Sequence, residues 1–347
     1  MNNDESFTPV ILSGGSGMRL WPVSVRQKAK QFHAFSGSKS MLSETAARLD
    51  VLGTTARPVI VCGASQEELV RSQVGDRDPL LIFEPAGKNT APAIAAACLA
   101  LTSKGDNPVV AVLAADHIIT DPEAFSVATQ QASDLARQGY LVTFGVVPNK
   151  PSTGYGYIKP GAKIDSGYKI DRFEEKPDAI TAGEYVEAGY FWNSGIFMFR
   201  AKDFLRDLRR WRPDIADTTK AALSMSDDNV SIDAAAWEAV PSESIDYAVM
   251  EHTEHGAVIA LDAGWNDLGS WRTLLDIGTS DSEGNVAHDE HVLFDTSSTF
   301  IRATKPVVTI GVQDLIIVET EKAILVSHKD RTQDVEAAIA ELPDKLL

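Results

Sequence analysis

Cationic side chains are in short supply in this chain. Its 32 Lys and Arg stand against 49 Asp and Glu, a net charge of −17 over 347 residues. So acidic a surface does not suit nucleic acid or anionic membrane as a general partner. Cysteine is scarcer still. Cys62 and Cys98 sit in the apolar runs "PVIVCGA" and "AIAAACLAL" and read as small buried core residues of a reducing compartment. No CxxC pair suggests zinc or redox work. No apolar run approaches the ~20 residues that span a bilayer. The polar opening "MNNDESFTPV" does not read as a signal peptide, so a cytoplasmic protein without a membrane partner is expected. Two nucleotide motifs are also missing. A G-x-G-x-x-G begun at Gly15 reaches Gly17 but then meets Leu20, and the one GK, in "AGKNT", has Ile82 where a P-loop needs glycine. Nor does the chain offer a convincing nucleophile–base pair.

What is present is ample apolar material, 44% of the residues, enough for a substantial core. In the first half, apolar runs alternate with helical patterns. The runs are "PVIL", "RPVIVCG", "PLLIFEP", "PVVAVLAADH" and "YLVTFGV". This predicts an α/β fold, a Rossmann-like and mostly parallel sheet with helices on both faces. From about 150 to 280 the pattern is mixed, with short strands at "GYGYIKP", "YKIDRFEEKP" and "YFWNSGIFMFR" and several helices over 201–251. Apolar bursts then start at 292, 300, 307, 316 and 323, a spacing of a small β-rich, β-helix-like domain closed by a helix at "DRTQDVEAAIAEL". The polar stretch "TSDSEGNVAHDE" divides an expected catalytic domain, 1–280, from this C-terminal domain, 281–347.

Ligands of open α/β sheets bind beyond the carboxyl ends of the strands. The first strand runs into "SGGSGMRLWPVS", where Ser13, Gly14, Gly15 and Gly17 offer close backbone approach and Arg19 a fixed fork of donors. This reads as a loop around a triphosphate or as a plain strand-to-loop turn. The fourth strand ends in "AADH" with Asp116, and "WNDLGSW" sets Asp267 between two tryptophans. Each carboxylate is a turn residue or a ligand of a shared Mg²⁺, which prefers oxygen donors. "RFEEKP" presents Glu175 and Lys176 at a strand end, and "FWNSGIF" carries Asn193 and Ser194 within an aromatic strand, where they need hydrogen-bond partners. The "HDEH" at 288–291 lacks closed-site spacing for a metal.

Together "GGSGMRLWPVS", "KQF", "EPAGKNTAPAI", "AADH", "TGYGYI", "FEEKP", "FWNSGIF", "SIDYAVME" and "WNDLGSW" resemble, in order, the nucleotidyltransferase family that makes nucleotide sugars. Within it they are most similar to the mannose-1-phosphate guanylyltransferases. The tail "TIGVQDLIIVETEKAILVSHKDRTQDV" resembles that branch too, so the likeness covers nearly the whole chain. It implies GTP and mannose 1-phosphate as substrates, GDP-mannose and pyrophosphate as products, and Mg²⁺ or another divalent cation as cofactor.

The resemblance also implies roles. Ser13, Gly14, Gly15, Gly17 and Arg19 hold the triphosphate, and Lys30 approaches it as a catalytic lysine. Glu84, Asn89 and Thr90 read the guanine. Asp116 and Asp267 bind the metal. Gly156, Glu175, Asn193 and Lys176 form the sugar-phosphate side, with Lys176 on the phosphate. Longer relatives carry a fused isomerase domain after this tail, and none is expected here. Two departures stand out. Val25 replaces an arginine, with Arg26 one place later, and Ala29 replaces the proline before Lys30. A transferase for another sugar 1-phosphate, or a catalytically weak nucleotide-sugar-binding homologue, remains an alternative. The short β repeats leave edges that need covering, so the C-terminal region is expected to carry a homodimer contact.

Overall fold

The computed structural model describes residues 7–15, 17–35, 37–226, 229–343 and 346. Contacts divide the chain into two compact units that interleave in sequence: Met1–Gly14 with Leu42–Asn266, and Gly15–Met41 with Asp267–Leu347.

In the first unit the apolar runs become a parallel sheet half. β1 (Thr8–Ser13), β2 (Val59–Gly63), β3 (Leu80–Glu84) and β4 (Val109–Ala114) lie in the order β4-β1-β2-β3, every pair parallel. Helices alternate with them: α1 (Met41–Val51), α2 (Glu67–Gln73), α3 (Thr90–Thr102) and α4 (Pro122–Arg137), followed by β5 (Leu141–Val146). The start of α4 is written in its sequence. The Asp121 side chain accepts from Ala124 N–H and Pro122 fixes the first position, while Gly139 turns the chain away at φ 96°. Burial of the strands alternates by face. Val10, Val59, Val61, Val110 and Val112 pack on Ala91 through Cys98 of α3. The opposite face receives the intervening residues, and Phe144 meets Phe125 of α4 at 5.9 Å between rings. Both cysteines are buried in this core, and burial pushes the Cys62 thiol up to about 12.

The remaining strands make the sheet mixed. β6 (Gly156–Ile164) and β7 (Gly167–Glu175) form a hairpin, bulged where Pro160 interrupts the ladder. After α5 (Ala179–Glu187), β8 (Phe191–Arg200) runs antiparallel to β4, β5 and β6. The helical stretch expected over 201–251 holds α6 (Ala201–Trp211), α7 (Pro213–Ala222), α8 (Ala234–Glu238) and a π-helical turn, Asp246–Met250. It also holds a hairpin, β9 (Leu223–Ser226) with β10 (Asn229–Ile232), whose strands "LSMS" and "NVSI" alternate over only four residues each and so do not stand out among helices. With β11 (Gly256–Leu261), eleven strands among the described residues follow the order β5-β11-β7-β6-β8-β4-β1-β2-β3-β10-β9.

The second unit joins two distant stretches. Residues 15–41 contribute 3-10 turns at Met18–Leu20 and Lys30–Phe32. The C-terminal stretch begins with α9 (Trp271–Ile277) and continues as β12 (Val292–Phe294), β13 (Phe300–Arg302), β14 (Val308–Ile310), β15 (Leu315–Glu319) and β16 (Ile324–His328). These are the five apolar bursts. Val292 pairs in parallel with Val308 and Phe300 with Ile316, sixteen residues on in each case, so two bursts make one turn of a β-solenoid. The closing helix is shorter than expected: Lys329–Asp334 is 3-10 and only α10 (Val335–Ile339) is α-helical. In "HDEH", His291 is buried and its Nδ1 accepts the Val307 N–H, a solenoid contact.

Buried Asn285 fixes one solenoid corner. Its Nδ2 donates to Asp281 Oδ2 (3.0 Å) and to the Thr296 carbonyl (2.9 Å), and its Oδ1 accepts the Thr299 N–H (3.0 Å). Asn285→Ala strands the last two backbone groups away from water. It should cost about 2–4 kcal/mol, read as a lowered Tm in calorimetry.

Candidate active site

In the first unit, the carboxyl ends of the parallel strands gather most of the expected residues on one sheet edge. Gly14 follows β1, Glu84 ends β3, and Asp116 lies two residues beyond β4, whose Ala114 pairs with Leu12 of β1. β8 enters at the same edge because it is antiparallel to β4, which brings Asn193 there, and β6 and β7 add Gly156 and Glu175. The segment after Asp116 is bonded to the one before Asp267. Ile118 N–H donates to the Asn266 carbonyl (2.8 Å) and Asn266 N–H donates back (3.0 Å). An aromatic row runs along this edge, Trp192 to Tyr155 (4.9 Å), Tyr155 to Trp265 (5.6 Å) and Trp265 to His117 (5.4 Å).

A side chain at Gly156 would displace the Glu175 carboxylate. A Cβ there would lie 2.4 Å from Glu175 Oε2. Asn193 is held from two sides: its Oδ1 accepts from Thr143 Oγ1 (2.9 Å) and Gly195 N–H (3.3 Å), and its Nδ2 donates to Asp246 Oδ1 (2.8 Å). The Gly195 N–H settles which amide atom is oxygen, and one Nδ2 hydrogen remains. Burial, then the charge of Glu175, pushes the Asp246 carboxyl up to about 6. Lys176 stands beside this group in the left-handed region (φ 47°), with Nζ 3.0 Å from Glu175 Oε1. That hydrogen bond raises its pKa, so it stays charged at neutral pH. Asp246 was not singled out from the sequence. Its only signal was the stretch "SIDYAVME", and a π-helical turn has no simple apolar period.

At the end of β3, burial pushes the Glu84 carboxyl up to about 7, and its Oε1 is buried without a hydrogen-bond partner. Asn89 caps α3 from a left-handed backbone (φ 68°), its Oδ1 accepting the Thr90 N–H. Thr90 Oγ1 accepts the Ile245 N–H, so it stitches α3 to the segment before Asp246.

The second unit holds Gly15, Gly17, Arg19, Lys30 and Asp267. Gly17 (φ 61°) must lack a side chain, because a Cβ would lie 2.4 Å from Lys30 Cβ. Lys30 is buried, and its ammonium donates to the backbone carbonyl of Asp267 (2.8 Å) and more weakly to that of Leu268 (3.4 Å). Leu268 is buried in the left-handed region (φ 46°). Its strain, next to a carboxylate, is of the kind found at functional sites. The Asp267 carboxylate sits over Gly269, where a Cβ would approach Oδ2 to 3.3 Å. Arg19 is half-exposed, its Nε 3.5 Å from Glu336 Oε2.

Comparison with known proteins supplies the family. The nucleotidyl transferase model matches residues 8–284, and a MannoseP isomerase/GMP-like beta-helix domain matches residues 289–342. The chain belongs to the nucleotidyltransferase family. A mannose-1-phosphate guanylyltransferase of Escherichia coli is 45% identical over 343 residues, 95% of this chain and 73% of that protein. The xanthan biosynthesis protein XanB of Xanthomonas campestris pv. campestris is 42% identical, covering 96% of this chain and 73% of its own length. A solved structure from Thermus thermophilus, named mannose-1-phosphate geranyltransferase, is 32% identical. It covers 97% of this chain and 99% of that one, with TM-score 0.87.

Nucleotidyltransferases of this family generally use a divalent metal. Asp116 and Asp267 fit such an ion by donor type, since Mg²⁺ takes hard oxygen ligands. Among the described residues no group of three or more His, Cys, Asp or Glu could hold a metal. Mg²⁺ that keeps water and substrate phosphates as ligands needs only one or two carboxylates. No helix among the described residues is long and apolar enough to cross a membrane.

The two departures from the family pattern have local explanations. Val25 packs, partly buried, against Met18, Trp21, Val335 and Ile339, an apolar setting. Ala29 is buried at φ −70° and ψ 166°, the backbone that proline would impose. Ala29→Pro should therefore stabilise the second unit by about 0.4–1 kcal/mol through the unfolded chain. A raised Tm checks it, and a lowered one would mean that ring and pocket clash.

Proposed function

We propose that the chain is a mannose-1-phosphate guanylyltransferase, joining mannose 1-phosphate to GTP with release of pyrophosphate. The observation that carries this reading is the group at Glu175, Asn193 and Asp246, where hydrogen-bonding groups suited to sugar hydroxyls stand beside one charged lysine, Lys176. Relatives of that name at 41–45% identity support it.

An oxygen of the sugar phosphate attacks the α-phosphorus in line. A phosphorus–oxygen bond forms there as the bond to the β-phosphate breaks, and the electron pair leaves with pyrophosphate. The attacking oxygen is already anionic, so no base or nucleophilic side chain is needed, consistent with the lack of one in the sequence. Repulsion between anions dominates the barrier, and positioning and electrostatics are the remedies.

Ser13, Gly14, Gly15 and Gly17 present backbone to the triphosphate, and Arg19 and Lys30 add positive charge beside it. Lys30 also holds the backbone that carries Asp267. Glu84 and Asn89 face the guanine, with Thr90 fixing that loop. Glu175 and Asn193 hold sugar hydroxyls, Gly156 leaves room for Glu175, and Lys176 orients the attacking phosphate. Mg²⁺ held by Asp116 and Asp267 would neutralise charge at the phosphates. Residues 1–280 supply the catalytic groups in this reading. A cytoplasmic setting fits both the substrates and the buried thiols.

Asp267→Asn should lower Mg²⁺-dependent turnover by about 10²–10³ while the melting curve stays unchanged. Turnover near the wild-type rate would remove Asp267 from the metal site. Lys176→Ala should raise the KM for mannose 1-phosphate far more than that for GTP, and an equal rise in both would sink its role. Pyrophosphate release across a panel of nucleotides and sugar 1-phosphates separates this substrate pair from others.

A homodimer contact through the C-terminal region belongs to the same proposal. On the β12–β14 pair, Val292, Phe294, Val308 and Ile310 alternate outward, each 57–67% exposed. An uncharged face on a chain of net charge −17 is where a second copy meets least repulsion. Phe294→Glu with Ile310→Glu should give a monomer by light scattering, and an unchanged oligomer would count against this face.

A further inference from the structure

The glycine-rich loop shares its compact unit with the end of the chain, and the contacts between them are specific. Met18 and Trp21 are buried with Val335 and Ile339, and Val25, Ala323, Leu325 and Leu342 pack around them. Trp21 is fixed at both ends. Its indole Nε1 donates to the Leu346 carbonyl (2.8 Å), and its own carbonyl accepts from Trp271 Nε1 (2.9 Å). Arg19 lies within this pinned stretch, and a carboxylate faces it, that of Glu336 on α10, at 3.5 Å from Nε. Approach at Nε occupies the inner edge of the guanidinium and leaves the outer Nη1–Nη2 edge for another acceptor.

We propose that Glu336 is a positioning residue of the triphosphate arginine. α10 and the residues after it set the backbone of Met18–Trp21, and the Glu336 carboxylate turns the Arg19 fork outward. The C-terminal domain is then a working part of GTP binding. Both side chains are about half exposed (51% and 55%), and a pair so wetted is too weak to withhold an arginine from a polyphosphate. Narrowing the rotamers of a long side chain requires no more than that, and it lowers the ordering cost when the anion arrives. The inference rests on the reading of Arg19 as a triphosphate ligand, and the test separates the two.

Steady-state kinetics on Glu336→Ala, Glu336→Gln, Arg19→Ala and the Arg19→Ala/Glu336→Ala double variant decide it. Glu336→Ala should raise the KM for GTP about two- to fivefold, the range an exposed ion pair can transmit. The KM for mannose 1-phosphate and the Tm should not move. Glu336→Gln, which keeps a hydrogen-bond acceptor, should fall between Ala and wild type. The double variant should be no worse for GTP than Arg19→Ala alone, because Glu336 acts through Arg19. An unchanged or lowered KM for GTP in Glu336→Ala, with Arg19→Ala still impaired, overturns the positioning role. Arg19→Ala with wild-type GTP kinetics overturns the reading of Arg19 itself.

Discussion

A buried ammonium organises the second unit. Lys30 is shielded from water, so its charge needs acceptors, and it finds them in the backbone carbonyls of Asp267 and Leu268, 237 and 238 positions away. Much else follows. Gly17 must be glycine because the Lys30 side chain fills the space of its Cβ. The left-handed Leu268 has a restraint on its carbonyl, and the Asp267 carboxylate rests over a glycine that cannot push it away. One lysine thus couples the conformation of the glycine loop to that of a carboxylate loop near the other end of the chain.

The first unit solves a different problem, that of placing residues from six strands on one edge. Parallel strands deliver their ends there together, which accounts for Gly14, Glu84 and Asp116. The antiparallel β8 enters where β4 leaves, so Asn193 joins them, and the β6–β7 hairpin closes with Gly156 opposite Glu175. Asp246 completes this side from a π-helical turn, its carboxylate fixed by the Asn193 amide.

What could be read from sequence followed the strength of local patterning. The five buried strands of the first half announced themselves as apolar runs, and the five C-terminal strands as bursts at a regular spacing. The motif residues fell at strand ends because strand ends were visible. Features that depend on distant partners were not legible. The β9–β10 hairpin alternates over only four residues a strand and joins the sheet through distant β3, and α10 is short because Lys329–Asp334 tightens into a 3-10 turn. The carbonyl partners of Lys30 lie more than two hundred residues away, so its structural contacts could not be read beside its expected approach to the phosphates. The mixed character of the sheet arises from two hairpins, from β11 pairing with β7 and from β8 pairing across β4, β5 and β6, choices made by topology and not by composition.

The interleaving of the two units bears on how the chain is born. Synthesis releases residues 15–41 early, but the residues that Met18, Trp21 and Lys30 rest on emerge only after position 266. The first unit's central strands can pair meanwhile, since β1 through β4 lie within the first 114 residues. Until those later residues emerge, the glycine loop lacks Val335 and Ile339, on which it packs, and the Asp267 carbonyl, to which Lys30 donates. A nascent chain that has not run well past position 266 therefore carries its glycine motif without the residues that motif packs on, so the shape of this loop reports that translation has gone beyond the first unit.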